Sequence, residues 1–274
     1  MNINTNMLMP KFVKVEHALK SVYLKRTVEI VVFRPENLLG NEKLNLLLMN
    51  DGQDANELEI QETLTDLYSE GKVAPIAVVA IKASEDRLKE YGVAGRPDFQ
   101  ARGDKAEAYN NFMVKELFPR VQKIVGLPLT GTRAIAGFSL GGLSAFDIAW
   151  NNDRLFDVVG VLSGSFWWRD RDLEDGYTAA NRIMHQVIRE TTPKPDLKFW
   201  LMTGTEDEKV DRDQNYIIDS IDDTIDIIKE LLNKGYKRPE HICYYEMVGG
   251  EHNVPTWSKA LPAFLKWAFP AKRV

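Results

Sequence analysis

The segment of this chain best suited to covalent chemistry is Gly137-Phe138-Ser139-Leu140-Gly141-Gly142, a serine between small residues in the pattern G-x-S-x-G. Before it, residues 133–136 read as a strand; after it, residues 140–150 read as a helix. To lift a serine hydroxyl clear of a sheet, the backbone must turn sharply from strand into helix. Side chains two residues before and after would collide there, so glycine at 137 and 141 has a steric reason. The helix that follows points its N-terminus at the reaction centre and stabilises negative charge. A plain small-residue turn would carry the same glycines, but the presence of both flanking elements favours a nucleophile.

A serine hydroxyl attacks only when a base removes its proton. Of the four histidines, His17 lies in an N-terminal β region, His185 within the helix-like NRIMHQVIRE, and His241 at the start of a strand. Those three read as surface or packing residues. His252 follows the last strand in Gly249-Gly250-Glu251-His252-Asn253, after the other elements, where the order serine, acid, histidine puts the base. The acid that orients the imidazole belongs after a strand between the two. The strand at 198–203 runs into Gly204-Thr205-Glu206-Asp207-Glu208, so Asp207 is the first choice and Glu206 the alternative.

Acyl transfer also needs two donors for the oxyanion. The N–H of Leu140, directly after the nucleophile, is one. The loop Asn50-Asp51-Gly52-Gln53-Asp54 follows an early buried strand and offers the N–H of Gln53 as the other, with Gly52 letting the backbone bend toward the pocket. Phe166, Trp167 and Trp168, at the end of the sheet where ligands bind in open α/β folds, would serve as an acyl or aryl pocket or equally as core. Arg96 reads as a surface residue, with contact to an anionic substrate group as the alternative. Asp211-x-Asp213-x-Asn215 imitates the start of a calcium loop, but Tyr216 stands at its sixth position and Asp222 at its twelfth. No metal and no cofactor is therefore expected.

The elements that must position these residues alternate along the chain. Residues 22–33 mix alternation with β-branched side chains, as a half-buried antiparallel strand does, and 34–37 read as a turn. Residues 44–49 and 76–81 are short apolar runs of the kind covered on both faces. Helices are expected at 58–68, 106–125, 140–150, 216–232 and 257–269, and further strands at 133–136, 158–162, 198–203 and 241–248. Gly235 stands where a C-terminal cap would be. The stretch 82–105 is the longest irregular one, and a loop of that length in a compact domain is usually functional or disordered. Such alternation implies βαβ units and a mainly parallel sheet with helices on both faces. With no repeat and no low-complexity linker, residues 1–274 read as one domain.

Composition narrows the classes further. With 44% apolar and 27% charged residues, the chain is neither disordered nor collagen-like. Its 35 basic against 40 acidic side chains leave a net charge of -5, with no basic cluster for nucleic acid. Cys243 is the single cysteine, so no internal disulfide forms, and its apolar surroundings suit an inert thiol. No apolar run approaches the ~20 residues of a membrane span, and the N-terminus lacks the apolar core of a secretory signal. A cytoplasmic location is expected, with no membrane and no nucleic-acid partner; nothing in the sequence specifies an oligomeric state.

The motifs together resemble the esterase branch of the α/β-hydrolases, which includes enterochelin esterases, S-formylglutathione hydrolases, feruloyl and acetyl-xylan esterases and the mycolyltransferase antigens. The similarity rests on Met49-Asn50-Asp51-Gly52-Gln53-Asp54, Gly137-Phe138-Ser139-Leu140-Gly141-Gly142, Leu162-Ser163-Gly164-Ser165-Phe166-Trp167-Trp168, Gly249-Gly250-Glu251-His252 and Leu261-Pro262-Ala263-Phe264-Leu265. Ser-Gly-Ser-Phe-Trp-Trp is most similar to the enterochelin esterases. The resemblance implies an α/β-hydrolase fold whose N-terminal strands are antiparallel. It also implies Ser139 as nucleophile, Asp207 as acid, His252 as base, and the amides of Gln53 and Leu140 on the oxyanion. Hydrolysis of a small-molecule or sugar-linked ester is the leading expectation, an acyltransferase or a siderophore trilactone esterase the alternatives, and an idle binding module on the same scaffold the outsider.

Overall fold

The computed structural model describes residues 11–38 and 41–271. Eight strands form one sheet: β1 (Phe12–Lys20), β2 (Thr27–Pro35), β3 (Leu44–Asn50), β4 (Ile76–Ile81), β5 (Leu129–Phe138), β6 (Val158–Leu162), β7 (Lys198–Glu206) and β8 (Ile242–Glu251). Their spatial order is β1-β2-β4-β3-β5-β6-β7-β8. β1 pairs antiparallel with β2 and β2 with β4; every other pairing is parallel. β3 and β4 are buried at every residue, as continuous apolar runs in a parallel sheet must be.

Helices α1 (Ile60–Ser69) and α8 (Val254–Ala268) cover one face, where Leu64, Leu67, Leu261 and Phe264 meet Leu47, Val78, Ala136 and Trp200. The other face is thicker. It carries α3 (Ala106–Asn111), α4 (Val121–Val125), α5 (Leu140–Trp150), α6 (Ile183–Glu190) and α7 (Asp219–Asn233), with Tyr109, Phe112, Phe146, Ile188 and Leu231 against Leu46, Val79, Ile135 and Phe199. The architecture is that of an α/β-hydrolase: a mostly parallel sheet, antiparallel at its N-terminal side, between two helical layers.

Several elements differ from the sequence expectation. Residues 22–33 are not one strand. Ser21 and Val22 are pinned to Glu116, by O–H and N–H donation at 2.5 and 2.9 Å, and the chain turns through an exposed Val22 before β2 begins. Arg34 and Pro35, expected as a turn, instead end β2 opposite Val13 and Phe12. The helix expected over 106–125 is a continuous winding that changes pitch. α3 leads into a π-helical stretch at Phe112–Leu117, then a 3-10 turn at Phe118–Arg120, where Pro119 has no N–H to continue the ladder, then α4. α7 starts later than 216 because the Asp211 carboxylate accepts the backbone N–H groups of Asn215 and Tyr216, holding a loop that leaves Tyr216 98% exposed. The irregular 82–105 stretch contains the short helix α2 (Arg87–Glu90) and is fastened to α5 by the N–H groups of Gly92 and Ala94 on Ser144 Oγ and Asp147 Oδ2.

Candidate active site

The chain reaches β3, steps to β4 on one side, and later returns to β5 on the other, so the carboxyl ends of β3 and β5 flank a topological switch point. Ser139 emerges there, between β5 and α5, with φ 54° and ψ -129°, a conformation unfavourable for a residue with a Cβ. Several backbone bonds hold it: its N–H donates to the Leu162 carbonyl at 2.9 Å, and its carbonyl accepts the N–H groups of Gly142, Leu143 and Ser165. A Cβ on Gly137 would sit 2.4 Å from the Gly141 carbonyl oxygen, the collision that the glycine spacing avoids.

Asp207 and His252 meet beyond the ends of β7 and β8. The Asp207 side chain is buried, and its Oδ1 lies 3.9 Å from His252 Nδ1, an electrostatic contact longer than a hydrogen bond. Contacts of this kind commonly tighten only with substrate bound. Asp207 also accepts the Gly204 N–H at 3.0 Å and the Ser163 hydroxyl at 2.9 Å. Burial raises the Asp207 carboxyl above its ordinary range, with those two donors and His252 opposing. Burial lowers His252, Asp207 pulls it back up, and the charge of Arg87 adds to the lowering. Glu206 is the exposed last residue of β7, in register with Glu251 rather than against the imidazole.

Gln53 lies in the 3-10 turn Gly52–Asp54 just past β3. Among the described residues, neither its backbone N–H nor that of Leu140 has a protein acceptor. Gly52 earns its place by close approach, since a Cβ there would lie 2.6 Å from the Ala80 carbonyl carbon in β4. The turn is braced from beneath. Asp51, at φ 61°, is fully buried and receives Arg87 through Nε at 2.6 Å and Nη2 at 2.8 Å, while its N–H donates to Tyr91 Oη. Tyr109 Oη donates to Asn50 Oδ1 at 2.7 Å, and Asn50 Nδ2 donates to the Gly141 carbonyl at 2.7 Å. A buried side chain thus ties the end of β3 to the first turn of α5.

The aromatic string falls differently. Phe166 and Trp168 are each 0% exposed: Phe166 packs edge-on against Phe146, and Trp168 fills the space left by Gly92 and Gly103. They are core rather than pocket wall, because neither side chain keeps any surface open to solvent or to a cleft. Trp167 is half-buried, with the Arg102 guanidinium 5.0 Å over its ring. Arg96 is committed to Glu190 at 2.6 Å. His17 sits on the edge strand β1, His241 accepts the Lys237 N–H, and His185 is buried against the Asp223 carbonyl. Asp211 and Asp213 serve their own loop, and among the described residues no group of three or more His, Cys, Asp or Glu could hold a metal ion. Likewise, among them no helix is long and apolar enough to cross a membrane. Sequence reasoning assigned no role to Ser163, Trp257, Asn50 or Arg87; only Ser163 and Asn50 stood inside recognised motifs.

A family model described as "Putative esterase" matches residues 21–268. Two curated relatives, the iron(III) enterobactin esterases of Escherichia coli K12 and of E. coli O6:H1, are each 26% identical over 153 residues, 56% of this chain and 36% of theirs. The matched stretch thus spans about a third of the length of those relatives. Among solved structures, the enterobactin esterase of Shigella flexneri in the presence of enterobactin superposes with a TM-score of 0.72 at 19% identity, over 94% of this chain and 59% of that one. A ferulic acid esterase gives 0.68 at 17%, over 95% and 98%. The siderophore hydrolase EstB of Aspergillus nidulans gives 0.68 at 15%, over 94% and 96%.

Proposed function

The chain belongs to the Esterase family, and on that premise we propose that it hydrolyses a carboxylic ester through an acyl-enzyme on Ser139. Ser139 Oγ attacks the ester carbonyl while His252 takes its proton, and Asp207 stabilises the imidazolium that results. The N–H groups of Leu140 and Gln53 receive the oxyanion. Collapse of the tetrahedral intermediate expels the alcohol with the proton from His252, and water then releases the acid by the same route. The observation that carries this reading is Ser139 itself, held in a strained turn at the head of α5 beside a topological switch point.

The substrate class we propose is a siderophore-type ester, on the strength of the names of the curated relatives and of EstB. The test is hydrolysis of a siderophore trilactone, feruloyl and acetyl sugar esters and S-formylglutathione by the wild type and Ser139→Ala. Loss of at least a thousandfold in kcat/KM with folding intact supports Ser139 as nucleophile; retained activity in Ser139→Ala, or no fluorophosphonate labelling of the wild type, rejects it. Product analysis with added alcohol separates hydrolysis from acyl transfer.

A further inference from the structure

Asp207 and His252 do not stand alone at the edge of the sheet. Ser163 leaves β6 at φ 48° and is 1% exposed, a strained and sealed position where glycine would be relaxed. Its Oγ accepts the Trp257 indole N–H at 3.0 Å and lies 2.9 Å from Asp207 Oδ1. An indole N–H can only donate, so Trp257 gives to Ser163, and the Ser163 hydroxyl gives to the carboxylate in preference to Met202 Sδ, a weak acceptor 3.8 Å away. The same indole stacks on Phe138, the residue before the nucleophile, with ring centroids 4.2 Å apart and planes at 16°. It also meets the His252 ring at 5.1 Å and 83°. One side chain therefore touches the His252 ring, the residue before Ser139 and the serine that donates to Asp207.

We propose that Ser163 and Trp257 are positioning residues for the acid and the base: they keep the Asp207 carboxylate an acceptor turned toward His252 and fix the ring's distance from the serine turn. This rests on the triad reading above. The groups facing the pair are few. Tyr244 of β8 and Glu208 lie near Asp207, Tyr244 being bonded to Thr203 and Glu246, and Arg87 faces His252 from α2. Among these only Ser163 and Gly204 donate to Asp207.

Removing the Ser163 hydroxyl withdraws a donor from a buried carboxylate, which then holds its proton to higher pH. It also leaves an oxygen lone pair free to favour imidazolium. Both effects move the acid limb of kcat/KM upward, by about one pH unit for a hydrogen bond to a charged group. The experiment is the pH profile of Ser163→Gly, chosen because glycine accepts the positive φ, alongside Trp257→Phe, which keeps an aromatic ring, though a smaller one, and loses the N–H. Expected are an upward shift of about one unit in Ser163→Gly, a smaller shift of the same sign in Trp257→Phe, and fluorophosphonate labelling retained on the alkaline plateau. A Ser163→Gly profile superimposable on the wild type overturns the inference, as does a lowered plateau with an unmoved limb. If Ser139→Ala stays active, the triad reading fails instead, and the two failures are distinct.

Discussion

At the scale of single residues, the site is governed by two carboxyl–imidazole choices that the sequence placed side by side. Glu206 ends β7 exposed, whereas Asp207 lies in the bend just past it, where the Gly204 N–H and the Ser163 hydroxyl hold its carboxylate inward beside His252. Asp207→Asn should therefore lower kcat/KM by about 10²–10⁴-fold, while Glu206→Gln should change it less than about twofold. The reverse ranking in steady-state kinetics would transfer the acid to Glu206. Because burial lowers His252, the imidazole stays neutral and able to accept a proton to below its ordinary value of 6.5. Activity should fall as pH drops through the lowered value, so the acid limb midpoint belongs below 6.5; a midpoint at or above 7 in a pH series would contradict that. Residue types and spacing made the strained turn at Ser139 and the loop that brings His252 near Asp207 readable, because such a turn and a terminal glycine loop leave marks in sequence. Ser163 and Trp257 left none, because a serine after a strand and a tryptophan in a helix have many ordinary uses.

At the scale of elements, two short apolar strands and the helix after the serine turn were the most legible: 76–81, 158–162 and 140–150 carry their expected bounds, since burial on both faces or a glycine turn determines each end. The antiparallel start was less so. A polar turn pinned to Glu116 lies 94 residues or more from its partner in sequence, and no local pattern encodes that contact. The same holds for Asn50, whose bond to the Gly141 carbonyl joins segments 91 residues apart. The loop after β3 is where backbone packing bears most directly on chemistry. Gly52→Ala would press a methyl against the Ala80 backbone, displacing the Gln53 amide. Loss of one oxyanion donor predicts a fall in kcat of about 10²–10³-fold with KM little altered. A Gly52→Ala enzyme with wild-type kcat would remove Gln53 from the oxyanion site.

Across the whole molecule, two buried groups outside the site pull stability in opposite directions with pH. Burial holds His185 down to about 3, so the native state excludes a proton that the unfolded chain takes up below 6.5, and stability falls as pH drops through that window. Burial holds Asp147 up to about 7 despite the Ala94 N–H and the Asn151 amide, so the native state keeps a proton that the unfolded chain loses above 3.8. Its contribution falls as pH rises to about 7. Between 3.8 and 6.5 the two offset each other. Relative to wild type, His185→Gln should gain about 1.4 kcal/mol per unit of acidification there, and Asp147→Asn should gain as much per unit of alkalinisation. Parallel denaturation curves for all three proteins across that range would refute both assignments. The order of the strands has a last consequence. The amides proposed to receive the oxyanion follow β3 and β5 in the middle of the sheet, hydrogen-bonded along both flanks, whereas the proposed base follows β8, an edge strand. A strand paired on both sides gives way less than one at an edge, so on the proposed roles the carbonyl slot would keep its gauge while the imidazole side accommodates alcohols of different shape.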